Sequence, residues 1–353
     1  MIELLCPVCR TSLLQVPHAF ECKKCNVSYP VKDGIPSLSS TSSYFFGEIS
    51  EQEINQCIEK AEKEGWLKAL NDYVRPLSPD TYQYATDYSR VDWRFLLPLT
   101  KETRVLDWGC GWGIISLALA HSCGHVVAMD ETFQKIKFLH IRSQQEKIDN
   151  IDFVHAGDLL ELPFADAEFD VIVMNGVLEW TGVSSHEKNP FIAQKKALKS
   201  AYRCLKKNGV LYLAIENRFG YNYFLGAQDH NGLCFVGLMP RRLADLYCRL
   251  AGKERYKTPI HSYMTYKKYL RETGFAQSIF YFPVPNYQYP SFILPLEKLY
   301  LHKYFIRYLF PVEKKKVIYS ILKFVAAIIV DLNIMHYFTP AYAIVAKKSV
   351  NIQ

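Results

Sequence analysis

No stretch of this 353-residue chain has the length or apolarity of a bilayer-spanning helix. The strongest apolar run, Val317 to Val330, is interrupted by Ser320 and Lys323 and stops short of the about 20 residues that a span requires. No export leader is expected, because Met1-Ile2-Glu3 passes almost at once into a Cys-Pro-x-Cys turn. Basic charge is thin where a nucleic-acid grip would need it. The formal net charge is +7, yet residues 1–38 carry four Lys/Arg against three Asp/Glu and residues 291–353 carry nine against three, which leaves 29 of each sign for residues 39–290. The excess is therefore C-terminal, and a nucleic-acid partner is not expected. A charged share of only 22% beside 49% hydrophobic residues excludes a disordered chain.

What is present points to one large core with appendages. Aromatic residues make up 14% of the chain, with 24 Tyr and 21 Phe, enough for broad contact surfaces as well as core. Of ten cysteines, four fall in two pairs near the N-terminus and six (Cys57, Cys110, Cys123, Cys204, Cys234, Cys248) are scattered, the usage of a reducing compartment such as the cytosol.

Val105-Leu106-Asp107-Trp108 followed by Gly109-Cys110-Gly111-Trp112-Gly113 and Ile114 to Ala120 reads as a buried strand, a glycine turn and an apolar helix. Glycines at alternate positions let the backbone bend tightly and let a ligand approach it. An acid closes the strand, which suits a cationic amino group better than a pyrophosphate. The stretch resembles motif I of the class I S-adenosylmethionine-dependent methyltransferases.

That resemblance implies a doubly wound, seven-stranded Rossmann-like α/β sheet over residues 88–289, with the last strand in residues 339–353. Val126 to Asp130 is a second strand ending in an acid about twenty residues past the turn, where a carboxylate would accept both ribose hydroxyls. A third strand leads to Asp158 and Leu159, which the resemblance assigns to the adenine amino group and ring face. A fourth strand delivers Asn175-Gly176-Val177-Leu178-Glu179 to the ligand-binding edge. The cofactor set is thus Asp107, Gly109, Cys110, Gly111, Gly113, Asp130, Asp158, Leu159 and Asn175, and the cofactor is S-adenosylmethionine. The Asn/Asp-Pro-Pro-aromatic tetrapeptide common in methylases of exocyclic base amines does not follow the fourth strand.

Cys6-Pro7-Val8-Cys9 and Cys22-Lys23-Lys24-Cys25 are two Cys-x-x-Cys knuckles twelve residues apart, the spacing of a closed tetrahedral Zn²⁺ site with a folding role. A redox pair or two disulfides would use the same spacing. Residues 1–38 resemble the zinc ribbons that precede some methyltransferase domains and occur in small methyltransferase-activating proteins. Residues 39–87 read as a polar linker and leading helices, with Ser50 and Glu53 at capping-box spacing.

After the fifth strand, Glu216 to His230 mixes aromatic rings with Asn, Gln, Asp and His, the chemistry that a saccharide or similarly hydroxylated acceptor requires. The segment is similar to a loop in methyltransferases linked to bacterial surface-polysaccharide assembly. His230 and Asp229, then His261 and Glu179, are the candidates for the base that deprotonates the acceptor. Residues 290–338 are expected to form a helical insertion. Within it, Lys314-Lys315-Lys316 and the apolar run to residue 330 suit either peripheral contact with the inner membrane face, a subunit contact or burial. Methylation of an RNA base and a non-catalytic scaffold are the competing readings.

Overall fold

The computed structural model describes residues 2–39, 47–156, 159–183, 185–309 and 317–348. Twelve strands form two sheets. The first is a four-stranded antiparallel ribbon of β1 (Leu14–Val16), β2 (Ala19–Cys22), β3 (Val27–Lys32) and β4 (Ile35–Pro36). The second contains β5 (Arg104–Trp108), β6 (His125–Asp130), β7 (Ile151–His155), β8 (Phe169–Asn175), β9 (Leu205–Glu216), β10 (Phe275–Val284), β11 (Phe292–Pro295) and β12 (Ala341–Lys348). Their spatial order is β11-β10-β12-β9-β8-β5-β6-β7.

Strands β5 to β9 run parallel, β12 inserts antiparallel beside β9, and β10 pairs antiparallel with β12. The order reverses between β5 and β8, so a crevice opens at their C-terminal ends. The sheet thus follows the expected doubly wound plan, with one correction. It has eight strands, because Phe292–Pro295 pairs antiparallel with β10 and forms an edge inside the segment expected to be wholly helical. β-branched and aromatic Phe292-Ile293 suit that position.

Alternation along each central strand explains why both faces are covered. Leu106, Val127, Met129, Ile172, Met174, Leu211 and Leu213 point into one apolar layer, and their neighbours Val105, Val126, Ala128, Val171, Val173, Tyr212 and Ala214 into the other. Helices Pro190–Cys204 and Tyr263–Thr273 cover the first face. Helices Ile114–Ala120 and Phe133–Gln145 cover the second, where Trp93 stacks on Tyr212 at 3.8 Å.

The ribbon packs directly on the large sheet. Ile2, Leu4, Phe20 and Tyr29 share the first apolar layer with Leu162, Phe164 and Phe169, and Leu38 N–H donates to the His155 carbonyl at 2.8 Å. The leading segment is helical as expected. Ser50 Oγ accepts from Glu53 N–H while the Glu53 carboxylate accepts from Ser50 N–H, and Ile54, Cys57, Ile58 and Ala61 are the buried stripe of helix Glu51–Glu64. These side chains form a separate core around Trp112 and Phe138.

In the C-terminal segment, helix Val317–Asp331 rests on Phe305 and Ile306 through Ala326, Ala327 and Val330, with Phe324, Val325 and Ile328 exposed. Lys314, Lys315 and Lys316 lie outside the described residues. Among the described residues, no helix is long and apolar enough to cross a membrane.

Candidate active site

The crevice at the β5/β8 reversal is lined by Trp108, Gly109, Gly111, Trp112, Asp130, Glu131, Thr132, Lys135, Asn175, Gly176, Val177, Trp180 and Thr181, with Glu48 and Tyr84 supplied by the leading segment. Gly111 has φ +51° and open space where a Cβ would stand, so the bare backbone faces the crevice. Asp130 Oδ2 accepts from Gly111 N–H at 2.8 Å and Oδ1 from Thr132 N–H at 2.9 Å. Each oxygen keeps a second lone pair for a ligand. Asn175 is buried, and its amide nitrogen and oxygen have no protein partner.

Several expected cofactor residues work one layer back. Asp107 is buried and accepts from Ser116 Oγ at 2.6 Å. It is absent from the crevice lining, and its Oδ1 is buried without a hydrogen-bond partner. Burial pushes its carboxyl up to about 7, against the opposing pull of Ser116. Gly113 is a packing glycine, since a Cβ there would sit 2.2 Å from Leu139 Cδ1. Cys110 is buried, and its thiol is raised by burial and then by the nearby carboxylates.

The turn is also less of an anion seat than its glycines imply. Gly109 and Cys110 N–H both donate to the Met129 carbonyl, and Gly113 N–H donates to Cys110 O. Leu159 packs on the first apolar layer instead of the crevice, and Asp158 lies outside the described residues.

The leading segment, where the resemblance implies helices over the cofactor, borders the crevice through a contact that the sequence did not point to. Trp112 Nε1–H donates to Glu48 Oε2 at 3.0 Å, and Lys135 Nζ stands 3.1 Å from the same carboxylate. Glu48 precedes the first helix by three residues, and no spacing rule links it to a turn more than sixty positions later.

Behind Trp180, set back from the residues that line the crevice, three side chains converge. Glu179 follows β8, Glu216 closes β9 and His230 follows on the next loop. His230 Nε2 lies 3.9 Å from Glu179 Oε1 and 3.7 Å from Glu216 Oε1. The ring of Trp180, a crevice residue, is 4.7 Å from that of His230. Tyr287 Oη donates to Glu216 Oε1 at 2.9 Å.

Burial pushes the Glu179 carboxyl up to about 8, and repulsion from Glu216 adds to it. Burial works against the charged form of His230 too, but Glu216 and then Glu179 outweigh it and raise the imidazole to about 9. Burial likewise opposes ionisation of Glu216, yet His230 and Tyr287 leave it below the ordinary carboxylate range. The two neighbouring carboxyl groups thus favour the charged form of the imidazole. Glu216 was not a sequence candidate. The signal for it is the parallel register that sets Asn175 opposite Ala214, so the residues just beyond both positions share one edge.

The other two catalytic candidates, His261 and Asp229, make local hydrogen bonds, and Asp229 Oδ2 is buried without a partner. His261 is buried, with Nε2 2.6 Å from Gln194 Oε1 and Phe191, Tyr266 and Tyr269 around its ring. Burial, with help from Arg218 and Lys195, lowers it to about 4 and keeps it neutral. Asp229 Oδ1 accepts from the N–H groups of Asn231 and Leu233 and shapes the turn that carries His230. Asn217 and Arg218, in the loop expected to read the acceptor, hold backbone carbonyls of Tyr337, Thr339, Leu238 and Met239 instead.

In the ribbon, the four thiols of Cys6, Cys9, Cys22 and Cys25 lie within 4.8 Å of one another, with Cys9 and Cys22 Sγ 3.4 Å apart.

Residues 99–227 match the family model described as a methyltransferase domain. The chain is 31% identical over 170 residues to the ubiquinone biosynthesis O-methyltransferase of Histophilus somni, covering 46% of this chain and 64% of that one. It is 28% identical over 183 residues to the arsenite methyltransferase of Aquipseudomonas alcaligenes, covering 48% of each. The chain spans about half the length of the first curated relatives it matches. Among solved structures, phosphoethanolamine N-methyltransferase 2 of Haemonchus contortus in complex with S-adenosyl-L-methionine aligns with a TM-score of 0.46 and 13% identity, covering 87% of this chain and 62% of that one.

Proposed function

We propose that this chain is an S-adenosylmethionine-dependent methyltransferase acting on a hydroxyl of a small, saccharide-like acceptor. The observation that carries the reading is a crevice lined by Gly111, Asp130 and Asn175, with the cluster of Glu179, Glu216 and His230 standing behind its Trp180 wall. The residues fit the cofactor. The open backbone at Gly111, the spare lone pairs of Asp130 and the unpartnered amide of Asn175 are what a ribose and an amino-acid tail would engage.

When bound, S-adenosylmethionine supplies an activated methyl group on a sulfonium. The protein then has to align the acceptor oxygen with that methyl and exclude water. Trp112 and the Glu48-Lys135 pair close the donor end. Trp180 forms the wall that an acceptor passes, and behind it the ionised Glu216 carboxylate would take, directly or through His230, the proton that the acceptor oxygen loses. The O-methyltransferase name of the Histophilus somni relative supports an oxygen acceptor. For the ribbon, the four clustered thiols support a structural Zn²⁺ held by Cys6, Cys9, Cys22 and Cys25.

The test is calorimetry with S-adenosylmethionine on wild type and Asp130→Ala, followed by transfer of isotope-labelled methyl to a panel of saccharides, phenols and RNA. Binding that Asp130→Ala abolishes, with label in an alkali-stable ether of a hydroxylated small molecule, is the expected result. Label appearing in RNA alone would transfer the chain to the base-methylating reading.

A further inference from the structure

We infer that Glu179, Glu216 and His230 form a divalent-cation site behind the Trp180 wall of the crevice. The inference rests on the methyl-transfer reading and adds to it the group that would meet the acceptor. The donor atoms of the three residues all lie within 4.8 Å of one another, with the two imidazole-to-carboxylate separations at 3.7 and 3.9 Å. Ligands about 2.0–2.2 Å from one ion stand roughly 3.0–3.6 Å apart, so the two imidazole separations close by a few tenths of an ångström and the carboxylate pair, within 4.8 Å, by about 1 Å or more at that bound.

The second observation is what the cluster leaves unsatisfied. The Glu179 side chain is 0% exposed, and neither of its oxygens has a hydrogen-bond partner. Glu216 Oε2 is also buried without one, and only Oε1 is served, by Tyr287. A buried carboxylate with no donor is costly, and paired carboxylates more so, unless a cation compensates them. Two carboxylates and one neutral imidazole match a 2+ ion in charge. Oxygen and nitrogen donors favour Mn²⁺ or Zn²⁺ over the soft ions that thiolates select.

The fold also explains why the triad forms. β8 and β9 are parallel neighbours, so the loop after Asn175 and the last residue of β9 emerge side by side. The turn shaped by Asp229 then brings His230 across both. The positions of the ion not used by protein would be filled by water or by an acceptor oxygen. An acceptor with neighbouring hydroxyls, able to chelate, fits such a site.

The experiment is Mn²⁺ binding to the full chain, its ribbon already filled with Zn²⁺, read by the loss of the free-ion electron paramagnetic resonance signal. One Mn²⁺ per chain is expected, weakened at least about tenfold by Glu179→Gln and by Glu216→Gln. His230→Gln reports the same loss from the loop side should a buried glutamate variant fold poorly. S-adenosylmethionine calorimetry on the same proteins separates the two readings. Retained cofactor binding with lost Mn²⁺ binding supports the cation site. Absent cofactor binding in wild type strikes the methyltransferase reading and leaves Mn²⁺ uptake to decide the site alone. No stoichiometric Mn²⁺ uptake, or uptake indifferent to Glu179→Gln, overturns the inference.

Discussion

The indole N–H of Trp112 donates to Glu48 Oε2 at 3.0 Å, joining the glycine turn to a residue that lies before the first long helix. Trp112 is also fully buried among Ile54, Cys57, Ile58 and Leu70. One side chain thus anchors the leading helices and borders the crevice. Trp112→Phe keeps most of the apolar contact and removes the donor. The expected outcome is about tenfold weaker S-adenosylmethionine binding with a melting temperature lowered by only a few degrees. Trp112→Ala should cost about 3–5 kcal/mol in urea unfolding. Unchanged cofactor affinity in Trp112→Phe would remove the lid from the donor site.

The three glycines of the turn should fail in different ways. A Cβ at Gly113 would meet Leu139 at 2.2 Å with φ at +87°, so Gly113→Ala should destabilise by about 2–4 kcal/mol. At Gly111 the space is open, so Gly111→Ala carries only the left-handed backbone cost of about 1–2 kcal/mol. Yet Gly111→Ala should lose cofactor binding at least as severely, because its methyl enters the crevice. Equal affinity for S-adenosylmethionine in wild type and Gly111→Ala would count against that placement.

Asp107 makes stability depend on pH. Its carboxyl, at about 7 in the folded state, holds a proton that the unfolded chain releases near pH 4. The folded state therefore binds more protons between those values. Stability is full below about pH 4 and falls as pH rises toward about 7. Asp107→Asn removes this contribution. It should be flatter with pH than wild type and more stable above pH 7 by about 2–4 kcal/mol. Urea melts at pH 5 and pH 8 check this, and parallel pH slopes for the two proteins would contradict it.

Removing metal from the ribbon should affect more than the ribbon. Phe20 and Tyr29 share an apolar layer with Phe164 and Phe169, so a strong chelator is expected to lower the melting temperature of the whole chain in one transition. Cys22→Ser should reproduce that shift without chelator. A melt in which only a small early phase moves would show instead that the ribbon unfolds alone.

The central strands were legible because their alternation and their position in the chain are local facts. Asp130 was legible from its offset after the turn. The roles of Asp107, Gly113 and Cys110 were not, because motif spacing tells which residues gather near a ligand but not which of them turn inward. Ser116, one helical turn into the next element, captures the Asp107 carboxylate. Glu216 and Glu48 escaped notice for a topological reason. Glu48 reaches the crevice, and Glu216 the cluster behind Trp180, through contacts between segments distant in sequence that only strand order or helix packing creates. His261 shows the converse, since a histidine in a polar aromatic neighbourhood looks reactive until Gln194 and two tyrosines are seen to enclose it.

The contact between the ribbon and the large sheet does more than add area. Ser37 Oγ lies 2.7 Å from His155 Nδ1, and His155 Nε2 lies 3.0 Å from the carbonyl of Glu131, a residue of the crevice wall. A three-member relay thus runs from the end of the cysteine module to the donor pocket. Trimming the first 38 residues to obtain a minimal catalytic unit would remove Ser37 and cut that relay, so such a truncation is expected to disturb the crevice wall as well as to delete the ribbon.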